Sequence, residues 1–156
     1  MAASAEVNTP KYDGGAVPEL LSLPMAAVKI WKGSLVAVNA TGYATPAATT
    51  AGLVVLGRAE DTVDNSAGAA GDLNIKVRRG VFRFTNSSST GALTQADVGK
   101  VCYVVDDVTV SRLDAGTRPI AGKVIAVDSN GVWGETGIMS SDPRVIDLYL
   151  PAGEDM

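Results

Sequence analysis

The chain contains no histidine and a single cysteine, Cys102. Without histidine there is no Ser-His-Asp or Cys-His nucleophile system, no imidazole general base and no His-ligated zinc. One cysteine excludes an intramolecular disulfide and any metal site built from several thiolates. Aromatic residues make up only 5% and charged residues only 19%, with a formal net charge of -4. A nucleic-acid binder would want a basic patch interleaved with stacking rings, so nucleic acid is not an expected partner. Long apolar runs are also missing. Nothing approaches the roughly 20 residues of a membrane-spanning helix. The start, Met1-Ala2-Ala3-Ser4-Ala5-Glu6, has neither the basic nor the apolar region of a secretory signal.

What is present is a rhythm of short runs. Hydrophobic residues reach 46% of the 156 residues, enough for one domain with a core, and 17 glycines punctuate them. Val28-Lys29-Ile30-Trp31, Leu35-Val36-Ala37-Val38, the segment 53–59, Val101-Cys102-Tyr103-Val104-Val105 and the segment 121–127 each have strand length. Leu73-Asn74-Ile75-Lys76-Val77-Arg78 alternates apolar and polar residues with period two, which predicts a half-buried strand. Gly80 then separates it from Val81-Phe82-Arg83-Phe84 and predicts a bulge or a sharp corner. Thr94-Gln95-Ala96-Asp97 has the form of a capping box and predicts one helical turn. Asp128-Ser129-Asn130-Gly131 predicts a tight hairpin turn leading into Val132-Trp133. The fold class is therefore all-β, a small β-barrel or β-sandwich over residues 28–137.

Both flanks read differently. Residues 1–27 carry Pro10, Gly14, Gly15, Pro18 and Pro24, a density that disfavours a long helix or a central strand. The segment reads as an extended N-terminal arm, with a short helical turn near Glu19-Leu20-Leu21. Its apolar residues Val17, Leu20, Leu21, Leu23 and Met25 favour an arm that orders on a neighbouring subunit over a solvated tail. Residues 138–156 form a C-terminal tail containing Val145-Ile146-Asp147-Leu148-Tyr149-Leu150.

Chemistry-bearing constellations are few. Glu60-Asp61 and Asp106-Asp107 are adjacent pairs, and adjacent strand residues point to opposite faces, so neither pair converges on one substrate. Asp128 begins like a calcium loop, but the sixth and twelfth positions hold Trp133 and Met139 where an EF-hand needs glycine and glutamate. No glycine-rich stretch spells a phosphate loop. Cys102 lies in an apolar run and reads as a small buried hydrophobe. Lys76, Arg78, Arg79 and Arg83 form a local basic cluster. It reads as a solvated strand face, or as a contact patch for an acidic protein surface. No cofactor or metal is expected.

The order of segments resembles the head decoration, or capsid cement, proteins of tailed bacteriophages. The resemblance lies in Lys32-Gly33 with Val36, Pro46-Ala47, Val55-Leu56-Gly57-Arg58-Ala59 and Val63-Asp64-Asn65-Ser66-Ala67-Gly68. It continues through Val77-Arg78-Arg79-Gly80-Val81-Phe82, Thr94-Gln95-Ala96-Asp97-Val98-Gly99 with Cys102-Tyr103-Val104, and Ala121-Gly122-Lys123-Val124 ending in Gly131-Val132-Trp133. It covers about residues 28–137 and leaves both flanks outside. It implies a non-enzymatic structural protein on the outer capsid surface of a virion, bridging neighbouring major capsid protein subunits against internal DNA pressure. It also implies a homo-oligomer, a trimer first and a dimer as the other closed form. The residues expected at capsid or subunit interfaces are Val17, Leu20, Leu21, Leu23, Met25, Arg78, Arg79 and Arg83. A carbohydrate-binding or adhesion module of a phage tail or cell surface, using Trp31 or Trp133, is the alternative. A small hydrolase working with carboxylates alone is a more distant one.

Overall fold

The computed structural model describes residues 19–137, and they are nearly all β. Twelve strands follow in chain order. They are β1 (Leu20–Pro24), β2 (Lys29–Ile30), β3 (Leu35–Val38), β4 (Ala44–Pro46), β5 (Val54–Ala59), β6 (Val63–Asp64), β7 (Asn74–Arg78), β8 (Gly80–Asn86), β9 (Val101–Val104), β10 (Thr109–Ser111), β11 (Ile120–Asp128) and β12 (Gly131–Thr136). The helical content among them is two single 3-10 turns, Ser89–Gly91 and Gln95–Asp97. The second carries the capping box read from the sequence: Ala96 N donates to Thr94 Oγ1 at 3.3 Å, and Thr94 N donates to Asp97 Oδ2 at 2.8 Å.

The strands divide into two bodies. The C-terminal half closes a five-stranded barrel in the order β10-β8-β12-β11-β9. The N-terminal half forms a sheet in the order β1-β7-β5-β3-β4, with β2 and β6 as a separate ribbon. That sheet nearly closes as well, because Met25 at the end of β1 bridges Ala44 in β4. Gly80 opens β8 of the barrel, two residues after β7 of the sheet ends at Arg78, so the residue read as a bend stands at the corner where the chain changes body. Asp128 to Gly131 closes the β11–β12 hairpin, with the N–H groups of Asn130 and Gly131 donating to Asp128 Oδ1.

Two apolar clusters follow from this division. One fills the barrel with Phe84, Cys102, Val104, Val110, Val124 and Val132, and takes in Leu35, Ala37 and Val55 from the sheet. The other lies under the sheet and consists of Met25, Ile30, Val36, Ala44, Ala59, Ile75 and Val77. Strand β3 alternates between them, Leu35 and Ala37 to one side and Val36 to the other, as the period of two requires. Strand β5 contributes to both for a different reason. Val55 and Ala59 have the same parity, yet they reach opposite clusters. The register against β3 jumps from Val36↔Gly57 to Ala37↔Val55, so Leu56 is an inserted residue. That bulge reverses which face every later residue presents. Gly57 takes φ +155 at this place.

The N-terminal expectation is corrected here. No helical turn forms at Glu19–Leu21, and residues 20–24 are not an arm awaiting a neighbour. They are strand β1, antiparallel to β7, with Leu21 opposite Val77 and Leu23 opposite Ile75. Pro24, which counted against a strand, is compatible with one because its missing N–H falls on the side of β1 away from β7.

Candidate interaction surfaces

The residues singled out from the sequence fall into different places. Val17 lies outside the described residues. Leu20 is exposed on β1, while Leu21 and Leu23 are half-buried on its other face, Leu23 against the sheet cluster. Met25 is fully buried within its own chain. It is a core residue and has no surface left to offer a capsid subunit. Its burial follows from the bridge to Ala44 and from the bond Met25 N donates to Leu73 O at 2.9 Å.

The basic cluster does not act as one patch. Arg78 pairs with Glu60 at 3.2 Å and with Glu19 at 3.4 Å. Glu60 also holds Arg58 Nη2 at 2.6 Å, and the Arg58 guanidinium stacks 4.1 Å from the centre of the Phe82 ring. This network ties β5 and β7 of the sheet to β8 of the barrel. The sequence showed Glu60 only as half of an adjacent carboxylate pair and assigned Arg58 no ionic role, because the partners that complete the network are brought by other strands. Arg79 has a different task. Its backbone N–H donates to Glu19 O at 2.7 Å, and its Nε donates to Gly137 O at 2.6 Å. One residue thus holds both ends of the described domain side by side. Arg83 is exposed on the outer face of the barrel, next to Trp133.

The hydrogen bond from Arg58 is the first cause that holds the Glu60 carboxyl below its ordinary value of 4.5, with Arg78 adding a further bond and its charge, while burial works the other way. A carboxylate depressed by folding stabilises the fold above its unfolded pKa, and that contribution is lost as pH falls through the folded value. Urea stability is therefore expected to fall on the acid side of 4.5, and Glu60→Gln is expected to flatten part of that fall. Asp64 and Asp128, also depressed, act in the same direction, and Asp107, raised by burial and by Asp106, acts in the opposite one. An unchanged acid limb in Glu60→Gln would refute the assignment.

The outer face of the barrel forms a mixed panel. Register pairs Trp133 with Arg83 on one side and Ala126 on the other, and Glu135 with Val81 and Lys123. A bulge at Ile125 turns that residue out, and Val81 and Ile125 are both exposed. The Trp133 indole N–H donates to Asp128 Oδ2 at 3.2 Å. Trp133 is half-buried, whereas Trp31 is an exposed ring, 58% accessible, with the Lys29 ammonium 3.7 Å from its centre. Asp128 spends its carboxylate on its own turn and on Trp133, which is the work of a hairpin and not of a calcium loop.

An open groove of about 410 Å³ lies at one end of the barrel, lined in part by Asn86, Ser87, Thr90, Ser111 and Arg118. Its polar groups are largely engaged by the chain itself. Ser87 Oγ donates to Val110 O, Ser111 Oγ to Gly91 O, and Arg118 Nη1 to Leu113 O, while the Asn86 amide both donates to and accepts from Leu93. Cys102 is buried inside the barrel, and desolvation pushes its thiol up to about 12. At that value the nucleophilic thiolate is absent at neutral pH.

No protein-family model, curated protein or solved structure matches this chain.

Proposed function

We propose that the chain is a structural virion protein that binds the outer surface of a bacteriophage capsid and cements neighbouring major capsid protein subunits. The observation that carries this reading is the meeting of both chain exits at Arg79, which bonds Glu19 on one side and Gly137 on the other. With the described ends Glu19 and Gly137 held side by side, the sequence beyond each starts from one place on the β body, a placement suited to contacts with adjacent subunits. That sequence includes Val17 and Val145-Ile146-Asp147-Leu148-Tyr149-Leu150, apolar content suited to burial on another protein. The order of strand and turn segments, with its resemblance to head decoration proteins, supports the same reading.

The test is co-sedimentation of the full chain with purified expanded phage heads. Saturable occupancy, reduced when residues 1–18 are deleted, is expected. A chain that stays in the supernatant at all concentrations overturns the reading. One observation favours a second reading, a carbohydrate-binding or adhesion module. Trp31 presents an exposed ring just after β2, and glycan-array binding lost in Trp31→Ala would replace the capsid reading with it.

A further inference from the structure

The asparagine side chains of the described residues are held in place, with one exception. Asn39 Oδ1 accepts from the N–H groups of Thr41 and Tyr43. Asn65 is buried, and its Nδ2 donates to Ala26 O and Ala69 O. Asn86 both donates to and accepts from the backbone of Leu93. Asn74 Nδ2 donates to Ser22 Oγ at 3.4 Å, and the β-branched Ile75 follows it. Asn130 is different. It stands exposed at the tip of the β11–β12 hairpin, in the turn closed by the pair Asp128↔Gly131. Its backbone N–H donates to Asp128 Oδ1, but among the described residues its side-chain amide makes no hydrogen bond. Gly131 follows it, so no Cβ on the next residue obstructs the approach of that side chain to the main chain.

We propose that Asn130 is a site of spontaneous modification, deamidating through a succinimide formed with Gly131 at a rate that Asp128 restrains. The Gly131 backbone nitrogen gives up its proton to solvent base and attacks Asn130 Cγ. A bond forms between them, the Cγ–Nδ2 bond breaks, and the side-chain nitrogen leaves as ammonia. Water then opens the cyclic imide. Attack at Cγ yields aspartate. Attack at the main-chain carbonyl carbon yields isoaspartate, in which the chain runs through Cβ. The attacking nitrogen is not free in the native hairpin. Gly131 N–H donates to Asp128 Oδ1 at 3.2 Å, and a carboxylate beside that nitrogen disfavours the anion it must become. Asp128 is itself held, since its Oδ2 accepts from the Trp133 indole N–H. The carboxylate that shapes the turn thus also withholds the nucleophile. Either product places a new negative charge at the turn where Asp128 already carries one. Isoaspartate also lengthens the main chain of the loop. Gly131 packs against Phe84 O too closely for any side chain, so it cannot move towards β8 and the added length is taken up by the turn. The inference stands apart from the capsid reading, and either can fail alone.

Incubation of the full chain at mildly alkaline pH, followed by tryptic peptide mapping, tests this. The peptide between Lys123 and Arg144 contains Asn130 and no other asparagine. It is expected to acquire an aspartyl and an isoaspartyl form, separated by chromatography and told apart by electron-transfer fragmentation. Peptides carrying Asn39, Asn65 and Asn86 are expected to stay amidated. Asn130→Gln is expected to abolish both products, because its longer side chain does not close the same ring. Asp128→Ala is expected to raise the rate about tenfold, the factor that releasing one charge-assisted hydrogen bond is worth. Asp128→Ser keeps an oxygen acceptor for the turn and removes the charge, and its rate is expected to fall between the two. Rates are compared in variants whose near-ultraviolet circular dichroism matches the native chain, and Asp128→Ser carries the test if Asp128→Ala does not fold. An Asn130 that stays amidated in the full chain overturns the site. Conversion spread evenly over Asn39, Asn65, Asn86 and Asn130 overturns the selectivity. A rate unchanged or lowered in the folded Asp128 variants overturns the restraint.

Discussion

Replacing Gly57 by alanine is expected to destabilise the domain by about 3 kcal/mol, the sum of backbone strain and overpacking. Gly57 holds φ +155, a conformation that L side chains rarely adopt. A Cβ there would stand 2.5 Å from Arg78 O and 2.7 Å from Val77 Cγ1. The first is backbone of the neighbouring strand and the second a fully buried core residue, so neither yields cheaply. The position also matters to topology, since the bulge beside it decides which cluster Ala59 enters. Gly33→Ala is the comparison. Gly33 also has a positive φ, +90, but nothing lies within 4 Å of its Cβ position. That variant carries strain without the clash. The measurement is the urea midpoint at unchanged slope. Equal losses in the two variants would show that close approach to β7 contributes nothing.

Met25→Ala is the second large effect, with an expected loss of about 3 kcal/mol from removed contacts and the cavity left behind. Met25 has 0% exposure and lies where the end of β1 bridges to β4, in contact with the cluster of Ile30, Val36, Ile75 and Val77. Leu20→Ala, on the exposed side of β1, is expected to change stability by no more than about 0.5 kcal/mol. The contrast separates two views of the N-terminal segment. If residues 20–25 served a neighbouring subunit, Met25→Ala would leave the isolated chain as stable as before and weaken only assembly. If β1 belongs to the sheet, the loss is seen in the isolated chain by urea unfolding.

The strands that read clearly from the sequence are those whose signal is local. Leu73 to Arg78 alternates along its own length, Asp128 to Gly131 carries its turn residues side by side, and Thr94 reaches only to Asp97. Strand β1 was missed because its decisive neighbour is β7, some fifty positions away, and because Pro24 argued against pairing. Proline forbids a ladder on both sides of a strand. It does not forbid one side, and the sequence alone cannot say that only one side is needed. Arg79 was noticed for its charge, yet its observed role is to hold Glu19 and Gly137, which become neighbours only after folding. Glu60 read as half of an idle carboxylate pair until β7 brought Arg78 to it.

The absence of histidine, the lone cysteine in an apolar run and the succession of short β-branched segments determined an all-β fold and the character of Cys102 without any coordinates. Those properties depend on side-chain chemistry and on periodicity along a few residues. The division into a barrel and a nearly closed sheet, the face reversal beside Gly57, the burial of Met25 and the meeting of the chain ends at Arg79 were decided by tertiary structure. Each depends on which distant strand lies alongside, a choice made by packing and hydrogen-bond closure over the whole domain.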